Sequence, residues 1–218
     1  MTLILAFIVP LAVAMLLVRA RVATTGEQPR PIAPMTAALF CVVAIPSIAQ
    51  FEFPGLLSAL RRDANEILHH GQVWRLATSL VVQDGGVAGT VFNLMMLLWI
   101  AMLATTLLGE RNLLLLFIGG AIAGELVGLR WQPIGGGNSV GNLGMAGGLL
   151  ALAILRGTNL PIRLLAAVGV LLGFVLLFQR NIHGAALLTG IALGFLLLRE
   201  TKTSMAPAPA VEANHRGG

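Results

Sequence analysis

Apolar residues in this chain come in long, nearly unbroken runs, at about 2 to 18, 34 to 51, 86 to 108, 112 to 129, 138 to 155, 161 to 178 and 182 to 198. A helix needs roughly 20 mainly apolar residues to span a bilayer, so the pattern predicts seven transmembrane helices and an all-α, polytopic membrane bundle. The last six form one compact group over residues 34–199. The first is expected to stand apart, as an anchor joined through the polar linker of region 1–33. It lacks a basic stretch ahead of its apolar run and so reads as a retained helix rather than a cleaved leader. Residues 52–85 form the single long loop, in which Leu56, Leu57, Leu60, Ile67 and Leu68 alternate with Arg61, Arg62, Asp63 and Glu66. That spacing predicts an amphipathic element in the membrane interface, with Trp74 at headgroup level and Arg75 reaching water or phosphate. His69 and His70 lack a third ligand nearby and read as surface residues. Residues 200–218, rich in Ala, Pro and polar residues, read as a disordered tail.

Composition agrees with the pattern. Hydrophobic residues make up 57% of the 218 and charged ones 11%, against about one quarter charged in a soluble domain. Cys41 is the one cysteine, which excludes an intramolecular disulfide. The net charge of +5 comes from residues scattered over loops, so no nucleic-acid partner is expected and the lipid bilayer is the surrounding medium. Charge instead sets orientation. With the 19–33 linker in the cytoplasm, nine of the fourteen Lys and Arg residues lie inside and five outside. This places the N-terminus outside and the C-terminus in the cytoplasm, and the segments beginning near 86, 138 and 182 all start on the outer side.

Polar groups inside a bilayer are rare and mark function or specific packing. Five candidates stand out: Asn93, Glu125, Ser139, Asn142 and His183. A lone serine more often bonds back to its own helix, a lone histidine at a loop edge meets water, and a lone asparagine joins helices. Ser139, however, follows three glycines, Gly135 to Gly137, which allow the chain to enter the membrane irregularly and start a helix there. Free N–H groups at such a helix start suit an oxyanion. Ser139, His183 and Asn93 all fall in one outer-leaflet layer under the derived topology, as a nucleophile and base pair would. Small residues at Gly120, Gly124 and Gly128, at Gly144 and Gly148, and at Ala186, Gly190 and Gly194 allow close helix approach. Glu125 is expected to be structural, by snorkelling, pairing with Arg130 or bonding a loop.

These residues, in order, resemble the rhomboid family of intramembrane serine proteases over about 35–198. Gly71-Gln72-Val73-Trp74-Arg75-Leu76 is similar to the tryptophan-arginine signature of the family's first loop, and Phe92-Asn93 to the asparagine of its next helix. Gly137-Asn138-Ser139 with Gly144 resembles its G-x-S helix, and His183 with Ala186, Gly190 and Gly194 its last helix. The resemblance implies a six-helix core plus one N-terminal helix, a "1+6" arrangement. It also implies a serine-type endopeptidase that hydrolyses single-pass transmembrane substrates near the outer surface, without cofactor or metal. Ser139 would be the nucleophile, His183 the base and then acid, and Asn93 with the Ser139 N–H the oxyanion site; Trp74 and Arg75 would brace the first loop. The chain departs from the pattern at Val140 (usually glycine), Gly89 (often histidine), Leu143 (commonly aromatic) and Thr105 (usually glutamate). Alternatives are a catalytically impaired rhomboid-like protein that binds transmembrane helices, and a small transporter. Short loops, few lysines and much Ala, Leu and Gly resemble a bacterial inner-membrane protein.

Overall fold

A computed structural model describes residues 1–26, 32–157 and 159–203. Residues 27–31 of the linker, residue 158 and 204–218 of the tail lie outside the described residues, and with them most of the tail expected to be disordered; its first residues, 200–203, are helical and continue the last helix. The fold is an all-α membrane helix bundle. Its elements are α1 (Thr2–Thr25), α2 (Pro34–Ala49), α3 (Gly55–Leu60), β1 (Arg62–Asp63), α4 (Ala64–His70), α5 (Arg75–Thr78), α6 (Gly86–Leu108), α7 (Glu110–Trp131), β2 (Ile134–Gly135), α8 (Ser139–Arg156), α9 (Leu160–Phe178) and α10 (Ile182–Thr203). Local chemistry punctuates these elements. Gly26, with φ 70°, ends α1; Asp63 caps α4 through the N–H groups of Asn65 and Glu66; Asn159 caps α9 through Ile162 N–H.

Among the described residues six helices are long and apolar enough to cross a membrane, not the expected seven. The exception is α2, with 16 residues, which at 1.5 Å per residue reaches about 24 Å against a hydrocarbon core of about 30 Å. Its apolar run continues to Phe51, but the chain turns at Gln50. That side chain is buried and committed to the loop, donating to Gln83 O at 2.9 Å and accepting from Gln83 N at 2.9 Å.

The core is built around α8, which is buried without interruption from Val140 to Ala153. It is surrounded by α7, α10, α9, α6 and α1. The expectation that the first helix stands apart is corrected here: α1 packs against α6, α8 and α9, burying Ala6, Phe7, Val13, Ala14 and Leu17 in the common core. Phe7 meets Phe92 edge to face at 5.5 Å, and Arg21 donates to Thr106 O at 2.8 Å. A polar linker says nothing about where the helix before it docks. Outward faces are apolar, as lipid requires: Leu115, Ile118, Ile122 and Leu126 on α7 are exposed, while the glycines of the same helix face inward.

Those glycines let backbones touch. A Cβ on Gly120 would collide with the Cα of Gly144, one on Gly144 with Leu116 O and Gly120, and one on Gly190 with Gly144 O. Gly194 likewise meets Gly148 and Ala151. Thus α8 is pinned between α7 and α10 at a single level. We expect Gly190→Val to lower the thermal unfolding midpoint of the detergent-solubilised protein steeply, because rigid backbone has nowhere to move. Gly89→Ala, which points into open space, should leave it within a degree or two; equal midpoints for both would refute the packing account.

Candidate active site

The contact of α8 with α10 brings two reactive side chains together. Ser139 Oγ lies 2.8 Å from His183 Nε2. The other ring nitrogen is held from the turn before α10, where Asn181 Oδ1 lies 2.6 Å from His183 Nδ1 and accepts from His183 N–H at 3.0 Å. A backbone N–H can only donate, so the Asn181 atom facing it is the oxygen. The same oxygen then requires the proton on Nδ1 and leaves the Nε2 lone pair directed at the serine hydroxyl. The turn presenting Asn181 contains Arg180 at φ 54°, a left-handed conformation uncommon for arginine.

Ser139 is the first residue of α8, and the first bond up that helix runs from Asn142 N to Asn138 O. The N–H groups of Ser139 to Gly141 therefore have no acceptor within the helix. Gly137 precedes it at φ 154°, a conformation glycine alone adopts readily. A Cβ there would sit 3.4 Å from Asn93 Nδ2 and 3.6 Å from Ser139 Oγ, so these two side chains flank one small volume. Behind them lies a buried amide network. Gln83 Nε2 donates to Asn138 Oδ1 at 2.8 Å and to Ser47 Oγ at 3.1 Å, and Asn93 Nδ2 donates to Gln83 Oε1 at 2.8 Å. Asn142 Nδ2 donates to Asn93 O at 3.1 Å. With no water available from lipid, this mutual satisfaction holds α2, the end of the long loop, α6 and α8 in one arrangement.

The long loop is anchored from inside. Arg62, 2% exposed, pairs with Glu125 of α7, Nη1 to Oε1 at 2.7 Å, and donates from Nε to Gln132 O at 3.0 Å. Its backbone pairs with the segment ahead of Ser139 through the antiparallel register Arg62↔Gly135 and Asp63↔Ile134. Gly128 and Gly135 leave the room its guanidinium occupies. Glu125 thus bonds the loop and not Arg130. Arg75 also differs from expectation: it turns inward, donating to Gln72 Oε1, Ser58 O and Arg61 O at 2.7, 2.9 and 3.0 Å, because loop carbonyls left over between short helices need a donor with several N–H groups. Trp74 remains 54% exposed. Arg62, Asp84, Glu125, the glycines 135–137, Ser139, Ile182 and His183 line a cavity of about 120 Å³ beside the serine-histidine pair.

Ser139 and His183 thus meet, Asn93 stands next to them, and Asn142 lies in the network behind. The sequence reading missed Asn181, Gln83 and Arg62. Only Asn181 carried a signal, a capping residue two positions before a helical histidine. The departures have local accommodations. Val140 fills the space over Gly124, whose Cβ would lie 2.6 Å from Val140 Cγ1; Thr105 bonds Thr36 at 2.8 Å, joining α6 to α2; Leu143 is fully buried. Comparison with known proteins finds no family model that matches the sequence and no curated protein that matches it. The class defined by fold and site is therefore a multi-pass membrane helix bundle with a hydrogen-bonded serine-histidine pair.

Removing one partner of a buried ion pair strands the other charge. Arg62→Met and Glu125→Met alone are each expected to lose about 3–5 kcal/mol of stability, and the double variant to regain most of it. Unfolding in mixed micelles measures the cycle; additive losses would show that the two side chains do not interact.

Proposed function

We propose that this chain is a rhomboid-like intramembrane serine endopeptidase that cleaves single-pass transmembrane proteins near the outer membrane surface. The observation carrying the reading is the 2.8 Å contact of Ser139 Oγ with His183 Nε2, in a tautomer set by Asn181. Its residues 34–199 stand for the six-helix core, with α1 as the added helix. The loop charge bias supports an outside N-terminus and a cytoplasmic C-terminus, and composition supports a bacterial inner membrane.

In the proposed reaction His183 Nε2 takes the Ser139 hydroxyl proton as Oγ attacks the scissile carbonyl. The oxyanion is met by the Ser139 N–H and the Asn93 amide. His183, now protonated at both nitrogens and stabilised by Asn181 Oδ1, gives the Nε2 proton to the leaving amine. A water molecule then attacks the acyl-serine; His183 takes its proton and returns it to Oγ, releasing the acid. Arg62 and Gln83 act through others, holding the segment before Ser139 and the Asn93 amide.

A fluorophosphonate probe tests the reading in detergent-purified protein. Wild type should label at least tenfold faster than Ser139→Ala or His183→Ala; labelling no better than Ser139→Ala removes the protease reading and leaves that of a helix-binding protein. Asn181→Ala should slow labelling about tenfold or more, with Asn181→Asp, which keeps the acceptor oxygen, retaining most of it. Gly89→His enters open space one turn before Asn93 and should raise cleavage of a single-span substrate.

A further inference from the structure

Of the helices around α8, four are fixed by rigid contacts or by buried polar bonds. Gly144 of α8 meets the backbones of α7 and α10 at Gly120 and Gly190, and Gly184 of α10 lies against the backbone of α9 at Gly173 and Leu177. Asn142 ties α6 to α8 through Asn93 O, and the Arg62–Glu125 pair ties the long loop to α7. The side between α6 and α9 is built differently. Among the described residues those two helices share no extended contact, and α1 fills the slot between them, touching α6, α9 and α8. The Phe7–Phe92 and Arg21–Thr106 contacts are both 85 positions apart, so α1 runs parallel to α6, starting at the level of Asn93. It is seated by side chains alone: Ala6, Phe7, Pro10, Val13, Ala14 and Leu17 are buried, and no glycine of the described residues lies against it. Its opposite face, with Ile4, Ile8 and Met15, is exposed. Lipid tails are as apolar as leucine, so exchanging such a helix for another apolar one costs little.

We propose that α1 is a displaceable occupant of the slot between α6 and α9, and that the transmembrane segment of a single-pass substrate takes its place to reach Ser139. The inference rests on the protease reading and adds to it a control of the site by the chain's own first helix. A substrate helix arriving through lipid has to bring a carbonyl to Ser139 Oγ beside Asn93, and α1 stands between lipid and that position. The cavity at Ser139 instead opens at an exposed rim, Asp84 and Ile134, so a small water-borne reagent reaches it without crossing α1. Two classes of ligand therefore meet α1 differently. A membrane helix competes with it for one slot, and occupancy follows the difference in their affinities for that slot; a soluble probe does not compete.

Spin labels at Ile8→Cys on α1 and Val87→Cys on α6, both exposed positions, report the separation of the two helices by pulsed electron resonance. The uncleaving Ser139→Ala protein carries them, with Cys41→Ser removing the native thiol. Adding a single-span apolar peptide in mixed micelles should shift the distribution to longer distances; a distribution unchanged at every peptide concentration overturns the proposal. Phe7→Ala removes the ring packed on Phe92 and leaves Ser139, His183 and Asn93 in place. It should raise kcat/KM for a single-span substrate about tenfold, as expected for loss of one aromatic pair, with fluorophosphonate labelling unchanged. For a wild type that labels, equal cleavage by both proteins, or labelling that rises in step with cleavage, also overturns the proposal. Movement of α1 without labelling of wild type upholds the slot and removes the protease reading; labelling with α1 fixed does the reverse.

Discussion

Gly144 touches the backbones of two neighbouring helices at once, Gly120 of α7 on one side and Gly190 of α10 on the other. At the wider spacing that side chains between two helices impose, the N-terminal ends of α8 and α10, which carry Ser139 and His183, would stand farther apart. Backbone contact removes that slack. Because the contact is made by rigid atoms, its geometry is passed up the two helices to Ser139 and His183 with little freedom, and the 2.8 Å approach of Oγ and Nε2 follows from it. Val140 takes part in the same way by packing over Gly124, so even the residue after the serine helps set the spacing of α7 and α8.

A second constraint acts on the polar groups. Lipid supplies no hydrogen bonds, so every amide and charge below the surface has to find its partner within the protein. Arg62 and Glu125 meet that demand for the loop, and Gln50, Gln83, Asn93, Asn138 and Asn142 meet it for the ends of α2, α6 and α8. Both clusters border the segment ahead of Ser139, one through the β1–β2 pairing and the other through Asn138. The loop that looks peripheral in the chain is therefore built into the support of the serine.

Much of this was legible in the residues taken in order. Runs of apolar residues specify helices because a backbone in lipid has to satisfy itself within one segment, and six of the seven runs have helices long enough to cross. Small residues every fourth position marked the faces that touch, and Ser139 and His183 were conspicuous as polar groups at the starts of apolar segments. Tertiary structure alone decided the rest. α1 joined the core although a polar linker separates it from α2, because docking depends on the shape of its Ala6, Phe7, Val13 and Ala14 face against α6, α8 and α9. Arg62 looked like one of several loop cations, and only the fold brought it to a carboxylate 63 positions away. The inward turn of Arg75 and the use of Gln83 as a hub depend in the same way on which carbonyls and amides the packed chain leaves over. Helix formation and small-residue contacts are local or periodic properties, written in the order of the residues. The pairing of buried polar groups is a property of which ones meet.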